Sequence, residues 1–293
     1  MKTPLRYPGG KSRAVKHILP HIPEDIERLC SPFFGGGSLE LAIAARGTEV
    51  RGYDKMKQLV WFWMALCADN SKLADEVQSL REQYWIEEKG SDIPTSIRNL
   101  WIEDRDTDKL VEGCSKEDFT KFREQLKNPS FMFSYEKAAK YYAINRASFS
   151  GATFSGGWSK RASYARFTPS SIQRLRDFKA KNFRVDYADF EDAMDYHPKA
   201  FLYLDPPYML PTDQNALYGT NGDLHRSFDH ERLYSLLTKR TGWVMSYNKC
   251  PTIEKMYKGY KIIDAEWAYG MKNQKTRETT KKMGKSSEIL IIG

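Results

Sequence analysis

The glycine-rich segment "SPFFGGGS" (residues 31–38) constrains the fold of this chain more than any other feature. Apolar residues predict a strand over residues 28–33 that runs into three consecutive glycines, and then a helix over Ser38–Arg46. A second strand is predicted over Glu49–Asp54, and it ends in a carboxylate. This order of strand, glycine turn, helix, strand and acid is typical of the opening half of a Rossmann-like α/β unit.

The same segment indicates a ligand that contains a nucleoside. A turn without side chains lets the main chain approach a cofactor closely. Asp54 follows Gly37 by seventeen residues, at the place where a carboxylate accepts hydrogen bonds from ribose hydroxyls. NAD, FAD and S-adenosylmethionine satisfy this pattern equally well, so the pattern identifies a nucleoside and not a reaction.

The rest of the chain predicts one α/β sheet domain that is interrupted by an insertion. Further strands are expected at "FRVDY", "AFLYLD", "GWVMSY", "YKIIDAEW" and "SSEILII", and they alternate with helices. One helix is expected to begin in "TPSSIQRLRDF", with Thr168 as its N-cap and Pro169 in its first turn. We expect residues 1–56 and 167–293 to form the catalytic and cofactor-binding domain. Residues 57–166 are expected to form a mostly helical insertion, with an exposed hairpin near residues 145–160.

Charge is distributed unevenly along the chain, whose net charge is +8. Residues 155–184 carry eight basic side chains and one acid, and residues 271–285 carry six and one. Residues 75–118 carry thirteen acids and six bases. Two basic segments that are nearly free of acids predict a face for a polyanion, and we expect that polyanion to be nucleic acid.

The composition argues against several other classes of protein. Cysteines stand at positions 30, 67, 114 and 250 without any C-x-x-C pair, which argues against disulfide bonds and against a zinc site. We therefore predict no metal. The longest apolar run, residues 59–68, is shorter than the ~20 residues that span a bilayer. We expect a cytoplasmic protein without membrane contact.

The motif "LDPPY" (residues 204–208) indicates a site for a planar amine. Asp205 stands at the carboxyl end of a predicted buried strand, where open α/β sheets bind their ligands. Neither proline has an N–H group, so the turn is stiff and rich in acceptors: the Asp205 carboxylate and the Pro206 carbonyl. Tyr208 adds an aromatic face beside them on which a ring can stack.

Four motifs in this order resemble the Dam-type (α class, DPPY) family of site-specific DNA adenine-N6 methyltransferases. They are "RYPGGK" (residues 6–11), "SPFFGGGS", "GYD" (residues 52–54) and "LDPPY", and the resemblance covers nearly the whole chain. It implies a Rossmann-like class I methyltransferase sheet flanked by helices, with a helical target-recognition insertion. It also implies transfer of a methyl group from S-adenosylmethionine to N6 of a flipped-out adenine in a short motif of double-stranded DNA.

The resemblance assigns roles by position. It implies that the cofactor is bound by Tyr7, Gly9, Gly10, Lys11, Phe33, Phe34, Gly35, Gly37, Asp54, Asp186, Tyr187 and Asp205. It implies that the target base is held by the catalytic residues Asp205, Pro206, Pro207 and Tyr208. It implies that DNA is contacted by Asn145, Arg146, Phe149, Phe154, Lys160, Arg161, Lys272, Lys275 and Arg277.

Two aromatic residues of the segment "NRASFSGATF" concern DNA recognition. Phe149 stands where the family places an aromatic wedge that can enter the base stack. Phe154 stands where Dam proteins that read GATC carry an arginine that binds guanine. Because phenylalanine cannot make the bidentate contact with guanine, we expect a recognition sequence other than GATC.

The resemblance also leaves alternatives open. The chain can be a DNA-binding protein that has lost catalysis, or a methyltransferase that acts on RNA. As an enzyme it is expected to act as a monomer, and a companion restriction endonuclease is a possible partner. Its recognition sequence, and the choice between a restriction-modification role and a regulatory or viral one, stay open.

Overall fold

The computed structural model describes residues 2–89, 110–127, 132–179, 181–209, 227–265 and 288–293. The chain divides into two compact units. The first unit comprises Met1–Thr3, Gly9–Met56 and Ala180–Gly293, and the second comprises Pro4–Pro8 and Lys57–Lys179.

Strands and helices alternate along much of the described chain. In chain order, the strands are β1 (Arg28–Ser31), β2 (Glu49–Asp54), β3 (Trp85–Lys89), β4 (Leu110–Cys114), β5 (Phe183–Tyr187), β6 (Phe201–Leu204), β7 (Trp243–Asn248), β8 (Lys261–Ala265) and β9 (Glu288–Ile292). The α-helices are α1 (Val15–Ile18), α2 (Ser38–Ala44), α3 (Lys57–Ala68), α4 (Asn70–Tyr84), α5 (Lys116–Lys127), α6 (Tyr135–Ala147), α7 (Lys160–Arg166), α8 (Pro169–Arg176), α9 (Phe190–Tyr196), α10 (His230–Leu237) and α11 (Pro251–Met256). Short 3₁₀ helices cover Lys11–Arg13, Leu19–His21 and Phe149–Gly151.

The first unit is built on a seven-stranded sheet with the order β5-β2-β1-β6-β7-β9-β8. The first five strands of this order are parallel, and β9 is antiparallel to both of its neighbours. The strand order reverses between β1 and β6, and open α/β sheets bind ligands at the carboxyl ends of the strands at such a point. The predicted Rossmann-like α/β class is confirmed.

The two faces of the central strands differ in polarity. On β6, Leu202 and Leu204 join an apolar cluster with Trp243 and Met245 of β7. Tyr203 lies between the two leucines and therefore points to the opposite face, because side chains alternate along a strand. There its hydroxyl lies 3.0 Å from that of Ser246. This second face ends in polar groups at the carboxyl edge of the sheet.

A glycine on β2 lets an aromatic ring pack directly against the sheet. A Cβ atom added at Gly52 would lie 2.1 Å from the ring of Phe34. Phe34 is buried, and its ring centroid lies 5.2 Å from that of Phe183 on β5. This packing fixes the turn after β1 against strands β2 and β5.

The second unit is mostly helical, with aromatic side chains at its core. The ring of Phe62 on α3 stacks on that of Tyr142 on α6, with centroids 5.5 Å apart. Trp85 contacts Phe167 edge to face at 4.3 Å and donates a hydrogen bond to the carbonyl of Ser163. Strands β3 and β4 pair antiparallel in this unit. The sequence did not predict this pair.

Helix α8 begins as the sequence predicts and belongs to the second unit. Thr168 caps its first turn in a capping box with Ser171, and Pro169 is its first residue. At the other end, the side-chain amide of Asn70 donates hydrogen bonds to carbonyls of the last turn, and Arg176 forms an ion pair with Asp75 at 2.7 Å. These contacts explain why the compact unit continues to residue 179, whereas the sequence interpretation placed the boundary after residue 166.

The segment near residues 145–160 differs from the expected exposed hairpin. Helix α6 continues to Ala147, a 3₁₀ turn follows at Phe149–Gly151, and a single antiparallel bridge joins Ser148 to Trp158. Most of residues 145–154 are buried, and the side chain of Asn145 hydrogen-bonds to the main chain of Arg6 and Gly151.

Candidate active site

The carboxylate of Asp205 follows directly after β6, at the carboxyl edge of the sheet in the first unit. The ammonium nitrogen of Lys11 lies 2.7 Å from each of its oxygens. The hydroxyl of Ser246, on the neighbouring strand β7, donates to Oδ1 at 2.9 Å. Lys11 is 5% exposed and Asp205 is 22% exposed. The carboxylate is thus fixed in position by two donors and still reaches the surface.

A glycine turn brings Lys11 to this position. Gly9 has a left-handed main chain with φ of 71°, which glycine adopts without steric cost. The Lys11 ammonium also donates to the Gly9 carbonyl at 3.1 Å. Gly10 precedes the 3₁₀ helix Lys11–Arg13. Tyr7, from the same motif, is half-buried and belongs to the second unit.

The ring of Tyr208 lies beside this ion pair. Its centroid is 5.2 Å from the Lys11 ammonium and 5.3 Å from the ring of Tyr247. Its hydroxyl donates to Oε1 of Glu288, the first residue of β9, at 3.0 Å. One end of the side chain is therefore fixed, and the orientation of the aromatic face is set.

Tyr247 holds the rest of the Pro-Pro turn. Its hydroxyl oxygen accepts a hydrogen bond from the main-chain N–H of Met209 at 3.0 Å, and it lies 3.3 Å from the carbonyl oxygen of Pro207. Nδ1 of His230 lies 2.6 Å from the same hydroxyl. Burial raises the pKa of Tyr247, so it remains a neutral phenol. Pro206 itself is buried.

The glycine turn after β1 is tied to the end of β2 by Asp54. The N–H of Gly35 donates to Asp54 Oδ2 at 3.0 Å, and the N–H of Met56 donates to Oδ1 at 2.9 Å. Gly35 and Gly37 have φ values of 52° and 65°, and Gly37 precedes α2. Burial raises the pKa of Asp54. Each of its oxygens has a further lone pair that can accept a ligand hydroxyl.

The two phenylalanines of the turn have different surroundings. Phe34 is a core residue, as its packing under Gly52 shows, so it does not face a ligand. Phe33 is only partly buried, and its ring lies 5.6 Å from that of Phe190 and 5.5 Å from that of Phe228. Phe33 is therefore the phenylalanine of this turn that can form an apolar wall.

The end of β5 places Tyr187 beside Asp54. These two residues are partners in the parallel register of β2 and β5, so their side chains share a face, and Tyr187 is 51% exposed. Asp186 lies on the opposite face, where its carboxylate accepts hydrogen bonds from Arg184 at 2.7 and 3.2 Å. Of this predicted pair, Tyr187 is the one on the Asp54 face.

A comparison with known protein families shows the family to which the chain belongs. The family model described as D12 class N6 adenine-specific DNA methyltransferase matches residues 7–271. The chain belongs to this family. A search among curated proteins found no match. As a D12 methyltransferase the protein is an enzyme that methylates N6 of adenine in DNA, and the resemblance read from the four motifs is confirmed.

The D12 methyltransferase shows no metal cluster in the part of the chain that the structure describes. No group of three or more His, Cys, Asp or Glu side chains is arranged there to hold an ion. Nor is any described helix both long enough and apolar enough to span a bilayer.

One acidic residue of the D12 methyltransferase site was missed by sequence reasoning. Glu40 on α2 is buried, and the hydroxyl of Ser31, at the end of β1, donates to its Oε1 at 2.7 Å. Burial raises the pKa of Glu40 to about 7, the negative charge of Asp205 adds to this, and Lys11 opposes it. In the sequence, a glutamate in the first turn of a helix resembles an ordinary exposed residue, so no local signal marked it.

Two of the residues expected to contact DNA are structural in the second unit. Asn145 is buried, and its side chain pairs with both main-chain groups of Arg6, at 3.1 Å and 2.7 Å. Arg146 is 7% exposed and donates to the carbonyls of Arg166 and Pro4. Both side chains are thus used within the protein.

The remaining predicted DNA contacts differ in exposure. Phe149 is 59% exposed and precedes Ser150, whose φ of 55° is rare for a non-glycine residue, whereas Phe154 is buried. Lys160 and Arg161 begin α7, and Arg161 is exposed. Lys272, Lys275 and Arg277 lie outside the described residues.

A cleft of about 590 Å³ is found at the other edge of the sheet of the D12 methyltransferase. Its lining includes Arg28 and Glu49, which begin β1 and β2, and Tyr196 and His197. Because parallel sheets bind substrates at the carboxyl ends of their strands, we assign no part of the methylation site to this cleft.

Proposed function

We propose that this D12 methyltransferase transfers a methyl group from S-adenosylmethionine to N6 of an adenine that is flipped out of a short duplex motif other than GATC. The observation that carries the proposal is the Asp205 carboxylate, held by Lys11 and Ser246 beside the face of Tyr208 at the switch point of the sheet. When bound, S-adenosylmethionine supplies an electrophilic methyl group on a sulfonium.

The carboxyl ends of β1, β2 and β5 fit a nucleoside of this kind. Asp54 retains acceptor capacity for ribose hydroxyls, and the turn at Gly35 and Gly37 has no side chain to block a close approach. Tyr187 offers an exposed ring on the Asp54 face, and Phe33 an apolar one. We propose these residues, with Gly9, Gly10 and Lys11, as the cofactor-binding part of the site.

Asp205 and Pro206 activate the adenine amine in this proposal. The amine is a poor nucleophile because its lone pair is delocalised into the ring. If the carboxylate of Asp205 and the carbonyl of Pro206 accept its two hydrogens, the nitrogen becomes pyramidal and its lone pair points away from them. In-line positioning supplies ~7–11 kcal/mol in well-oriented systems.

Charge favours the same arrangement. Positive charge develops on N6 as the C–N bond forms, and the Asp205 carboxylate stabilises it. The methyl group would leave a neutral thioether behind as its C–S bond breaks, and N6 would release one proton to water to give neutral methyladenine. The Lys11 ammonium and the Ser246 hydroxyl hold the Asp205 carboxylate in place, where it can accept a hydrogen bond from N6.

Base flipping follows from where the amine lies in duplex DNA. N6 of a stacked adenine cannot reach a pocket inside a protein, so the base must leave the stack at a cost of a few kcal/mol. Stacking on the Tyr208 ring offsets part of this cost. We propose that the exposed Phe149 of the second unit fills the gap in the stack. The buried Phe154 supports a recognition sequence without the arginine contact used for GATC.

The test is methylation sequencing of plasmid DNA from cells that express the wild type or Asp205→Ala. We expect methyladenine at one short motif with the wild type only, while the purified variant keeps binding DNA and S-adenosylmethionine. Methylation by the variant at the wild-type level contradicts the role of Asp205. Wild-type protein that binds cofactor but modifies only RNA, or nothing, favours the RNA enzyme or the silent binder instead.

We further propose that the enzyme acts as a monomer in the cytoplasm, where a companion restriction endonuclease would cut the same motif. Sedimentation of the purified protein tests the monomer. Protection of plasmid carrying the identified motif against cleavage in the host lysate tests the endonuclease.

A further inference from the structure

Three arginines of the second unit are connected by hydrogen bonds to the main chain around the end of α6, and a fourth lies on the neighbouring helix α8. Arg146 donates from Nε to the carbonyl of Arg166 at 2.6 Å and from a terminal nitrogen to that of Pro4 at 3.3 Å. Arg6 donates to the carbonyl of Ser148 at 3.3 Å. Arg174 lies on α8, where the Ser171 carbonyl accepts a hydrogen bond from Tyr142 of α6. We call Arg6, Arg146, Arg166 and Arg174 the arginine cluster.

The members of the arginine cluster are close enough to repel one another. Burial, and then the positive charges of Arg166 and Arg146, lower the pKa of Arg6 to about 10. Burial also lowers the pKa of Arg146, and the charges of Arg174 and Arg166 lower it further. The other group facing Arg146 is the ring of Tyr142, whose centroid lies 5.7 Å from the guanidinium.

No described carboxylate forms an ion pair with any member of the arginine cluster. Arg176 provides a contrast, because it lies on the same helix as Arg174 and pairs with Asp75 at 2.7 Å. Arg166 and Arg174 are exposed and Arg6 is partly exposed, so an external anion can reach them. Clustered like charges without internal neutralisation are the electrostatic footprint of a polyanion site.

We propose that Arg6, Arg166 and Arg174 bind backbone phosphates of duplex DNA, and that the buried Arg146 positions Arg6 and Arg166 through its hydrogen bonds to the carbonyls of Arg166 and Pro4. The inference rests on the proposed function, since it takes DNA as the substrate. Guanidinium groups suit this role because they bind phosphate oxygens through two parallel hydrogen bonds. Such contacts position the protein on the duplex without reading its sequence.

The test measures how salt weakens the binding of a short mixed-sequence DNA duplex, using fluorescence anisotropy. Each phosphate contact that is lost reduces the slope of log K against log salt by about 0.9. We expect this reduction for Arg166→Gln and for Arg174→Gln, and about twice the reduction for the double variant. Arg176→Gln is the matched control, because it removes one charge from the same helix at a residue that Asp75 already neutralises. Its slope is expected to equal that of the wild type.

Two results would overturn the proposal: wild-type slopes for the cluster variants, or an equal loss for Arg176→Gln, which indicates only general surface charge. Thermal unfolding of each variant shows whether it is folded, and Arg166 and Arg174 are exposed enough for a glutamine to be tolerated. The methylation assay separates this outcome from failure of the proposed function. A wild-type enzyme that methylates DNA while the cluster variants keep its salt slope disproves the phosphate site alone.

Discussion

The ammonium group of Lys11 and the carboxylate of Asp205 form an ion pair at 2.7 Å, although 194 positions separate them in the chain. The pair joins the first motif of the sequence, "RYPGGK", to the last, "LDPPY". Two motifs that lie far apart in the sequence therefore each contribute one partner to the same ion pair.

Lys11→Met should weaken both folding and methyl transfer. The variant leaves the charge of Asp205 without its cation in a poorly solvated place. The free energy of unfolding is expected to fall by about 2 kcal/mol, below the 3–5 kcal/mol seen for fully buried pairs, because Asp205 is partly exposed. Urea denaturation measures the loss, and single-turnover methylation measures the rate.

The double variant Lys11→Met with Asp205→Asn is the control for this prediction. With neither charge present, the free energy of unfolding should recover by ~1 kcal/mol or more relative to Lys11→Met, while activity stays absent. If the loss of unfolding free energy in the double variant equals the sum of the losses in the two single variants, the two residues are not coupled.

Tyr208→Phe and Tyr208→Ala should separate the hydroxyl from the ring. The phenylalanine loses the hydrogen bond to Glu288 but keeps the face on which a base stacks, so kcat/KM should stay within a few-fold of the wild type. The alanine loses a stacking contact of ~1–3 kcal/mol, which corresponds to roughly 5- to 150-fold in kcat/KM. Equal kcat/KM values for both variants would rule out stacking as the role of this ring.

Glu40 should make stability depend on pH. Its folded-state pKa of about 7 lies above its ordinary value of 4.5, so the folded protein holds a proton that the unfolded chain releases. The stabilisation that this proton gives to the folded state is complete below pH 4.5. It is lost as pH rises to about 7, and the free energy of unfolding then falls by roughly 3 kcal/mol. The difference in unfolding free energy between the wild type and Glu40→Gln should therefore change in favour of the variant from pH 5 to pH 8.

Denaturation of both proteins at the two pH values measures this difference. Glu231→Gln serves as a comparison, because it changes a glutamate in the first turn of α10 that is exposed. A difference for Glu40→Gln that is the same at both pH values would mean that Glu40 is ionised throughout.

Gly52→Ala should destabilise the first unit. The added methyl group would lie 2.1 Å from the ring of Phe34, and that ring cannot retreat because it packs against Phe183. Overpacking of this kind costs ~1–3 kcal/mol. Gly259→Ala is the control, since its Cβ meets no atom within 4 Å, and its melting temperature should be unchanged.

Local patterns predicted much of the sheet and the position of the main site. Strands β2 and β5 were predicted with the bounds that the structure shows, and α8 begins at its predicted cap, Thr168. Each of these elements carries its signal within a few residues: apolar runs, a terminal acid or a capping threonine. The acceptor-rich turn at Asp205 was visible in the sequence for the same reason.

Features that depend on distant contacts were not predictable. Asn145 and Arg146 are polar residues near the end of a helix, and their side chains are buried in contacts with distant main chain at Pro4, Arg6 and Arg166. Residues 85–89 were expected to continue a mostly helical stretch, but they pair with residues 110–114. That pairing depends on a partner more than twenty residues away.

The path of the chain between the two units limits how this enzyme can be recombined. The second unit is assembled from two separate pieces, Pro4–Pro8 and Lys57–Lys179, and Asn145 is bonded to the main chain of Arg6. A chimaera that takes only residues 57–179 from a relative would combine that asparagine with a foreign N-terminal segment. A transplant of the second unit between family members therefore requires residues 4–8 to be moved together with residues 57–179.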